Sequence, residues 1–373
     1  MKKRIMCVFG TRPEAVKLAP VVHAVKASKK LEPVVVLTAQ HREMLDQMLS
    51  WFAIAPDYDL NLMRPGQTLA RLTSRVLVAM DKLLGEVKPD MLIVQGDTAS
   101  VMAAALAAFY HKVPVGHVEA GLRTNDRYNP FPEEMARRQT GRLASLHFAP
   151  TALAVKNLLA EGISENVVLT GNTVIDALLD TASRLDANKI DQSLFGGVDF
   201  ARHRVLLVTA HRRENWGEAI ADIARALKLI ADQFPDVQIL YPIHKNPVVR
   251  QSVVPVFTRQ KQLFLVEPLD YVPFVYAMQK SYLILTDSGG IQEEAPALGK
   301  PVLIMRTNTE RPEAVNSGVA KLVGTKVEDI VKEAALLLKN PDQYKSMISL
   351  SNPFGDGHAS EKIVKAIESY LCG

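Results

Sequence analysis

Two glycine-bearing turns, Gly10-Thr11-Arg12-Pro13-Glu14 and Thr286-Asp287-Ser288-Gly289-Gly290, each follow a strand-like apolar run and open a helix. Such a turn presents unpaired backbone N–H groups and the positive end of a helix dipole, a setting that holds an anion. The turns lie in different halves of the chain, so the reading is one anionic ligand held between two nucleotide-type domains. The ends of other strand-like runs carry Gln40-His41-Arg42, Gly96-Asp97-Thr98, Glu119-Ala120-Gly121-Leu122-Arg123, His211-Arg212-Arg213, His244 and Glu267-Pro268. In open parallel sheets, ligands bind outside the carboxyl ends of the strands. Any one of these groups is explained as a helix cap, because Asp, Ser and Thr favour that position. The collection of Asp, Glu, His and Arg along one edge points instead to a catalytic edge.

Pro13 is placed where a first helical turn tolerates it, which lets Arg12 and Lys17 face a bound anion. Taken alone, Lys17 reads as a solvated helix face. Ser288-Gly289-Gly290 gives backbone close access to a phosphate, and Glu294, expected on the first turn of the helix that follows, is placed to accept from a ribose. As an ordinary helix residue it would simply compensate the dipole. The chain contains no G-x-G-x-x-G fingerprint for a nicotinamide dinucleotide, and Gly299-Lys300 lacks the flanking residues of a P-loop. His117-Val118-Glu119 resembles half of a zinc-deaminase signature, but no Cys-x-x-Cys completes it, so neither a metal site nor a cofactor is expected. For His211 and His244 the residue-level reading is a buried, hydrogen-bonded histidine.

Positioning these groups requires alternating short strands and helices. Strands are expected at 5–9, 34–38, 91–95, 115–118, 145–149 and 167–170, then at 205–209, 238–241, 263–266, 282–286, 301–305 and 320–323. Helices are expected at 42–52, 69–84, 100–111, 218–233, 273–279 and 291–298. Fully apolar short strands separated by helices predict parallel sheets covered on both faces. The class is therefore α/β, with two Rossmann-like domains. The boundary is expected just after Gly171-Asn172, giving domains 1–171 and 172–359, with a final helix at 360–371 packing back on the first. The 373 residues suit two such domains, and a composition 48% hydrophobic and 23% charged supports a large core.

The net charge of +4, from 44 basic and 40 acidic residues, is too small and dispersed for a nucleic-acid protein. Two cysteines, Cys7 and Cys372, argue against a disulfide framework and for a reducing compartment. The opening Met1-Lys2-Lys3-Arg4 looks like a signal-peptide start, but the apolar run behind it stops at Gly10 and reads as a first strand. No apolar run has the length of a membrane span, so a soluble cytoplasmic protein is expected.

Five blocks together resemble one family: Phe9-Gly10-Thr11-Arg12-Pro13-Glu14-Ala15, Gly116-His117-Val118-Glu119-Ala120-Gly121-Leu122-Arg123-Thr124, Thr209-Ala210-His211-Arg212-Arg213-Glu214-Asn215, Thr286-Asp287-Ser288-Gly289-Gly290-Ile291-Gln292-Glu293-Glu294-Ala295-Pro296 and Thr309-Glu310-Arg311-Pro312-Glu313. They are similar to the non-hydrolysing bacterial UDP-N-acetylglucosamine 2-epimerases, over essentially the whole chain. The resemblance implies a GT-B-like pair of Rossmann domains with the ligand cleft between them, and interconversion of UDP-N-acetylglucosamine and UDP-N-acetylmannosamine for surface polysaccharide synthesis. It also implies a homodimer.

By motif, the resemblance implies a catalytic set of Asp97, Glu119, Glu133 and His211. It assigns substrate contacts to Arg12 and Lys17, a place beside the uracil to Phe274, the diphosphate to Ser288, Gly289 and Gly290, the ribose to Glu294 and the anionic part of the nucleotide sugar to Arg311. The chain departs from the pattern at Gln95, where many members carry His, at Leu269, where some carry Gln, and at Thr307-Asn308, in place of Asp-Thr. Some members are activated by substrate at a second site. Gln40 matches that site, while Glu43 and Gly66 stand where such members carry Gln and Arg.

The chemistry accounts for the residue types. Carbon 2 of the sugar has no adjacent carbonyl, so its proton is not acidic enough for simple abstraction. Eliminating UDP and adding it back avoids that difficulty, but it demands a base on one face, an acid on the other, and cations around the departing diphosphate. The rival readings are an epimerase of a modified UDP-sugar, a GT-B glycosyltransferase using a UDP-sugar donor, and a silent UDP-sugar sensor, which would not need Asp97, Glu119 and Glu133 together.

Overall fold

The computed structural model describes all residues except 39–41, 65 and 259, and leaves the side chains of 42–44 undescribed. Gln40 of the expected second site therefore lies outside the described residues, and of Glu43 only the helical backbone is described. The chain forms two compact units, Met1–Ala177 with Phe354–Gly373, and Leu178–Pro353.

Among the described residues, unit 1 holds β1 (Lys3–Phe9), β2 (Leu31–Leu37), β3 (Tyr58–Asp59), β4 (Met91–Gln95), β5 (Val115–Val118), β6 (Leu146–Ala149) and β7 (Val167–Leu169), in the order β3-β2-β1-β4-β5-β6-β7. Unit 2 holds β8 (Arg204–Thr209), β9 (Val237–Pro242), β10 (Leu263–Val266), β11 (Leu283–Thr286), β12 (Val302–Ile304) and β13 (Ala320–Leu322), in the order β10-β9-β8-β11-β12-β13. Every described pairing is parallel. Each order reverses once, between β1 and β4 and between β8 and β11, as in a doubly wound Rossmann sheet. The two-Rossmann-domain class read from the sequence is the class found.

Strands such as β4, buried along its whole length, are apolar on both faces because helices cover both. Helix Glu218–Gln233 shows the matching stripe: Ile220, Ile223, Ala224, Leu227, Ile230 and Ala231 recur at helical spacing and are buried against the unit 2 sheet. Each large aliphatic side chain buried this way contributes roughly 1.5–3 kcal/mol. In unit 1, helix Ala99–Tyr110 buries Ala103, Ala104, Ala105, Ala107 and Ala108, so small side chains let it approach the sheet and helix Leu69–Val87 closely. The last helix, Ala359–Cys372, packs on helix Arg12–Ala27 within unit 1. Asp176 caps that last helix from a distance, accepting from Ala359 N–H (3.2 Å), Ser360 N–H (2.7 Å) and the Ser360 hydroxyl (2.7 Å).

One expectation needs correction. The helix after β11 begins at Gly289, not Ile291, so the two glycines are its first residues and Glu294 falls in the second turn. The glycines lack a β-carbon but have ordinary helical freedom, and the bare first-turn N–H groups begin with them. No helix of the described residues is long and apolar enough to cross a membrane.

Candidate active site

In unit 1 the two turns that flank the switch between β1 and β4 are bolted together by Glu14. Thr11 caps helix Arg12–Ala27 in a capping box with Glu14. The buried Glu14 carboxylate accepts from Gly10 N–H (2.7 Å), Thr11 N–H (3.1 Å) and the Thr98 hydroxyl (2.8 Å). Burial pushes its pKa up, against these hydrogen bonds. His117, inside β5, reaches the same edge: its Nε2 lies 2.7 Å from the carbonyl of Gly96, the residue before Asp97.

Glu119 follows β5 with a backbone φ of +66°, a left-handed conformation that a non-glycine residue adopts only when its surroundings impose it. Its buried carboxylate takes Lys17 Nζ at 2.7 Å on both oxygens, Asn172 Nδ2 at 3.2 Å on Oε1 and the Gln95 amide on Oε2. These neighbours all donate, so the arrangement fits an ionised carboxylate. Asp97 stands next door, since a β-carbon on Gly96 would lie 3.9 Å from Glu119 Oε2. The Asp97 side chain, 29% exposed, is paired with Arg137. Its pKa is raised, chiefly by burial and further by the charge of Glu119, while Arg137 and Lys17 pull the other way. Two neighbouring carboxylates with such different partners are set up to hold protons differently.

Glu133 begins helix Glu133–Leu143. It lies one turn before Arg137, and hence on the helix face that reaches Asp97. It makes no hydrogen bond or ion pair among the described residues, and neither does the half-buried Arg12. The helix is set in place by its next residue: buried Glu134 accepts from Thr124 N–H (3.1 Å) and Arg138 Nε (2.9 Å), and Arg138 Nη1 also donates to Glu161 (2.8 Å). Glu161 in turn holds Arg123 through two bonds, of 2.8 and 2.7 Å.

In unit 2 the site lies at the switch between β8 and β11. Asp287, fully buried, accepts on Oδ2 from His211 N–H (2.8 Å), Arg212 N–H (2.8 Å) and Asn215 Nδ2 (3.1 Å). That ties the turn after β8 to the turn after β11. The His211 ring, 40% exposed, stacks on His244 with centroids 5.4 Å apart. Its pKa is lowered, first by burial and then by His244 and Arg212, against the pull of Asp287. Ser288 is the N-cap of helix Gly289–Ala297 but makes no side-chain capping bond. The Arg212 guanidinium lies within 3.5 Å of where a Gly289 β-carbon would be, and none of the described residues comes within 4 Å of the corresponding position at Gly290. Cationic, uncapped and open on one side, this helix start is suited to a phosphate.

Phe274 is half-buried on helix Tyr271–Lys280. A cavity of about 410 Å³ lies at the start of this helix, lined by Leu194, Gly196, Glu267, Leu269 and Pro273 among others. Arg311 does not stand open: its Nε is paired with buried Glu293, and Nη1 donates to the Glu310 carbonyl (3.2 Å).

The structure thus clusters Lys17, Asp97 and Glu119 in unit 1, and His211 with Ser288, Gly289 and Gly290 in unit 2. Sequence reasoning gave no role to Arg137, Asn172, Gln95 or Arg212 in holding these groups. For Arg137 a signal exists, its i+4 spacing from Glu133. Among the described residues, no group of three or more His, Cys, Asp and Glu side chains is arranged to hold a metal ion.

A family model described as UDP-N-acetylglucosamine 2-epimerase matches residues 23–368. The chain is 50% identical over 370 residues to the UDP-N-acetylglucosamine 2-epimerase of Escherichia coli K12, covering 98% of each. The crystal structure of UDP-GlcNAc 2-epimerase from Neisseria meningitidis, bound to UDP-GlcNAc, superposes with a TM-score of 0.88 at 46% identity, covering 98% of this chain and 100% of that one. The structure from Listeria monocytogenes, described as a 2-epimerase of the same sugar nucleotide, gives 0.93 at 45% identity, covering 100% and 97%. With the family model spanning most of its length and half its residues shared with such enzymes, the chain belongs to the UDP-N-acetylglucosamine 2-epimerase family.

Proposed function

We propose that this protein is an isomerase that interconverts UDP-N-acetylglucosamine and UDP-N-acetylmannosamine by eliminating UDP and adding it back. The observation that carries the mechanism is the adjacent pair Asp97 and Glu119, held by different cationic partners at the switch of a Rossmann sheet. A base removes the carbon 2 proton, the carbon 1–oxygen bond to the diphosphate breaks, and the electron pair becomes a carbon 1–carbon 2 double bond. UDP then adds back to carbon 1 on its original face while the proton is delivered to the other face of carbon 2, which inverts carbon 2 alone. The sequence is redox-neutral. Asp97, Glu119 and Glu133 share the proton transfers. Ser288, Gly289 and Gly290 receive the diphosphate, Arg12, Lys17 and Arg311 supply positive charge, Glu294 takes the ribose, and Phe274 borders the base.

We also propose a cytoplasmic homodimer that supplies surface polysaccharide synthesis. Val78, Phe109 and Tyr110, exposed on two helices packed side by side, support self-association.

Incubation with UDP-N-acetylglucosamine alone in deuterium oxide tests the reading by proton NMR. A second anomeric signal should appear, with deuterium at carbon 2 of both species. Conversion without deuterium would overturn the elimination route, and no conversion would overturn the epimerase assignment for this sugar. A second expectation concerns Gly290→Ala. Its β-carbon enters open space at a helix start, so thermal stability should hold or rise by a few tenths of a kcal/mol. The methyl would crowd a bound diphosphate, so KM should rise about tenfold or more. Unchanged KM would remove this turn from the diphosphate site.

A further inference from the structure

Asp287 has one oxygen satisfied and one not. Oδ2 takes the N–H groups of His211 and Arg212 and the Asn215 amide. Oδ1 is buried and has no hydrogen-bond partner among the described residues. A buried carboxylate oxygen without a donor costs stability and calls for an explanation. The Nδ1 of His211 lies 3.7 Å away, just beyond hydrogen-bond reach. The backbone around that histidine is fixed: Trp216 Nε1 donates to the His211 carbonyl (3.1 Å) and the Tyr241 hydroxyl to the Ala210 carbonyl (2.6 Å). Among the described residues the ring makes no hydrogen bond and packs face to face on His244.

We propose that Asp287 is the positioning residue of His211. A small turn of the ring brings Nδ1–H onto Oδ1, which selects the tautomer that leaves Nε2 facing the substrate and favours the imidazolium when Nε2 takes a proton. The inference rests on the reading that His211 acts in the epimerisation, and it adds a residue that the three backbone and amide bonds would otherwise explain as purely structural. The charged and titratable groups around the ring are Asp287 from the turn after β11, Arg212 beside it, and His244 from the turn after β9. His244 is no substitute: its Nδ1 accepts from Asn246 N–H (3.1 Å), and it meets His211 face to face, with 13° between the ring planes.

Asp287→Asn keeps an acceptor for the three donors but turns an amide N–H toward His211 Nδ1, which forces the ring proton to Nε2. The variant is expected to lose about 10²–10³-fold in kcat with KM within about threefold of wild type. In a His211→Gln background the same change should cost no more than about threefold further. An equal loss in both backgrounds would assign Asp287 a structural role only and overturn the proposal. Nitrogen NMR of histidine-labelled wild-type enzyme with UDP bound should show His211 protonated at Nδ1. A proton on Nε2 alone would overturn the proposal even if Asp287→Asn fails to fold. Wild-type turnover of UDP-N-acetylglucosamine is measured in parallel. Its absence would sink the functional reading, while the NMR result still decides whether Asp287 orients the ring.

Discussion

Glu119→Gln is expected to lower kcat by about 10³-fold or more, the range seen when a general acid–base group is removed together with its charge. The partners of this side chain explain why the isosteric amide cannot substitute. Lys17 addresses both oxygens, Gln95 one and Asn172 the other, all as donors. A glutamine must turn its NH2 toward at least one of these donors, and the part-buried Lys17 ammonium loses its hydrogen-bonded counter-charge. The same change should therefore cost about 2–4 kcal/mol of stability, the penalty for a broken buried pair. Lys17→Met alone would take the hydrogen-bonded cation from the carboxylate, so the double variant should be more stable than the sum of the single losses predicts. UDP affinity, which we assign mainly to unit 2, should change by less than about threefold if the two sites are energetically independent. Single-turnover kinetics, urea unfolding and UDP titration read the three quantities. A Glu119→Gln enzyme within about tenfold of wild-type kcat would remove Glu119 from the proton-transfer set.

What could be read in the chain, and what could not, follows from the range of the interactions. Strands such as Met91–Gln95, Val115–Val118 and Leu263–Val266 were legible because a short apolar run between turn residues has one structural solution in a covered parallel sheet. Helix Glu218–Gln233 was legible from its apolar stripe. β3 was not: Tyr58–Asp59 is two exposed residues on a sheet edge, placed there only by pairing with β2. The start of the helix at Gly289 was misread because glycine signals a loop until an empty N-terminal turn gives it a use.

The candidate site divides in the same way. Asp97, Glu119, His211 and Ser288–Gly290 announce themselves at strand ends. Their partners do not, because Arg137 is 40 residues from Asp97, Asn172 is 53 from Glu119, and the Asp287 carboxylate meets the His211 backbone across 76. Strand order alone brings them together, and no local pattern encodes it. Gln95 illustrates the point. In the sequence it is a departure from a family pattern, and in the structure it is a donor to the central carboxylate.

The second large effect is acid destabilisation through two histidines that the fold keeps neutral. His117 and His147 are register partners on β5 and β6 and are both buried. Burial is the main reason that each pKa falls from 6.5 to about 4; the neighbouring Arg123 adds to it at both, and His147 adds to it at His117. The unfolded chain binds a proton on each near pH 6.5, whereas the folded chain does not until about pH 4. More protons on the unfolded state mean that stability rises with pH through this window, is fully present above 6.5 and drains away as pH falls toward 4. Between pH 7 and pH 5 the loss is about 2 kcal/mol per histidine. Glu14, Asp97 and Asp176, whose pKa values are raised mainly by burial, contribute with the opposite sign, since they take up protons more readily folded than unfolded. The histidine contribution is therefore isolated by difference: the stability lost between pH 7 and pH 5 should be smaller in His147→Asn than in wild type by about 2 kcal/mol. In the wild-type enzyme the ring-proton NMR signals of His117 and His147 should stay still over that interval. Movement with a midpoint near 6.5 would show that both rings titrate freely, and the acid lability would then need another source. His117 also sits against the turn that carries Asp97: its Nε2–H donates to the Gly96 carbonyl at 2.7 Å, a bond the imidazolium keeps, so the cost of protonation is the burial of charge beside Arg123 and not the loss of this contact.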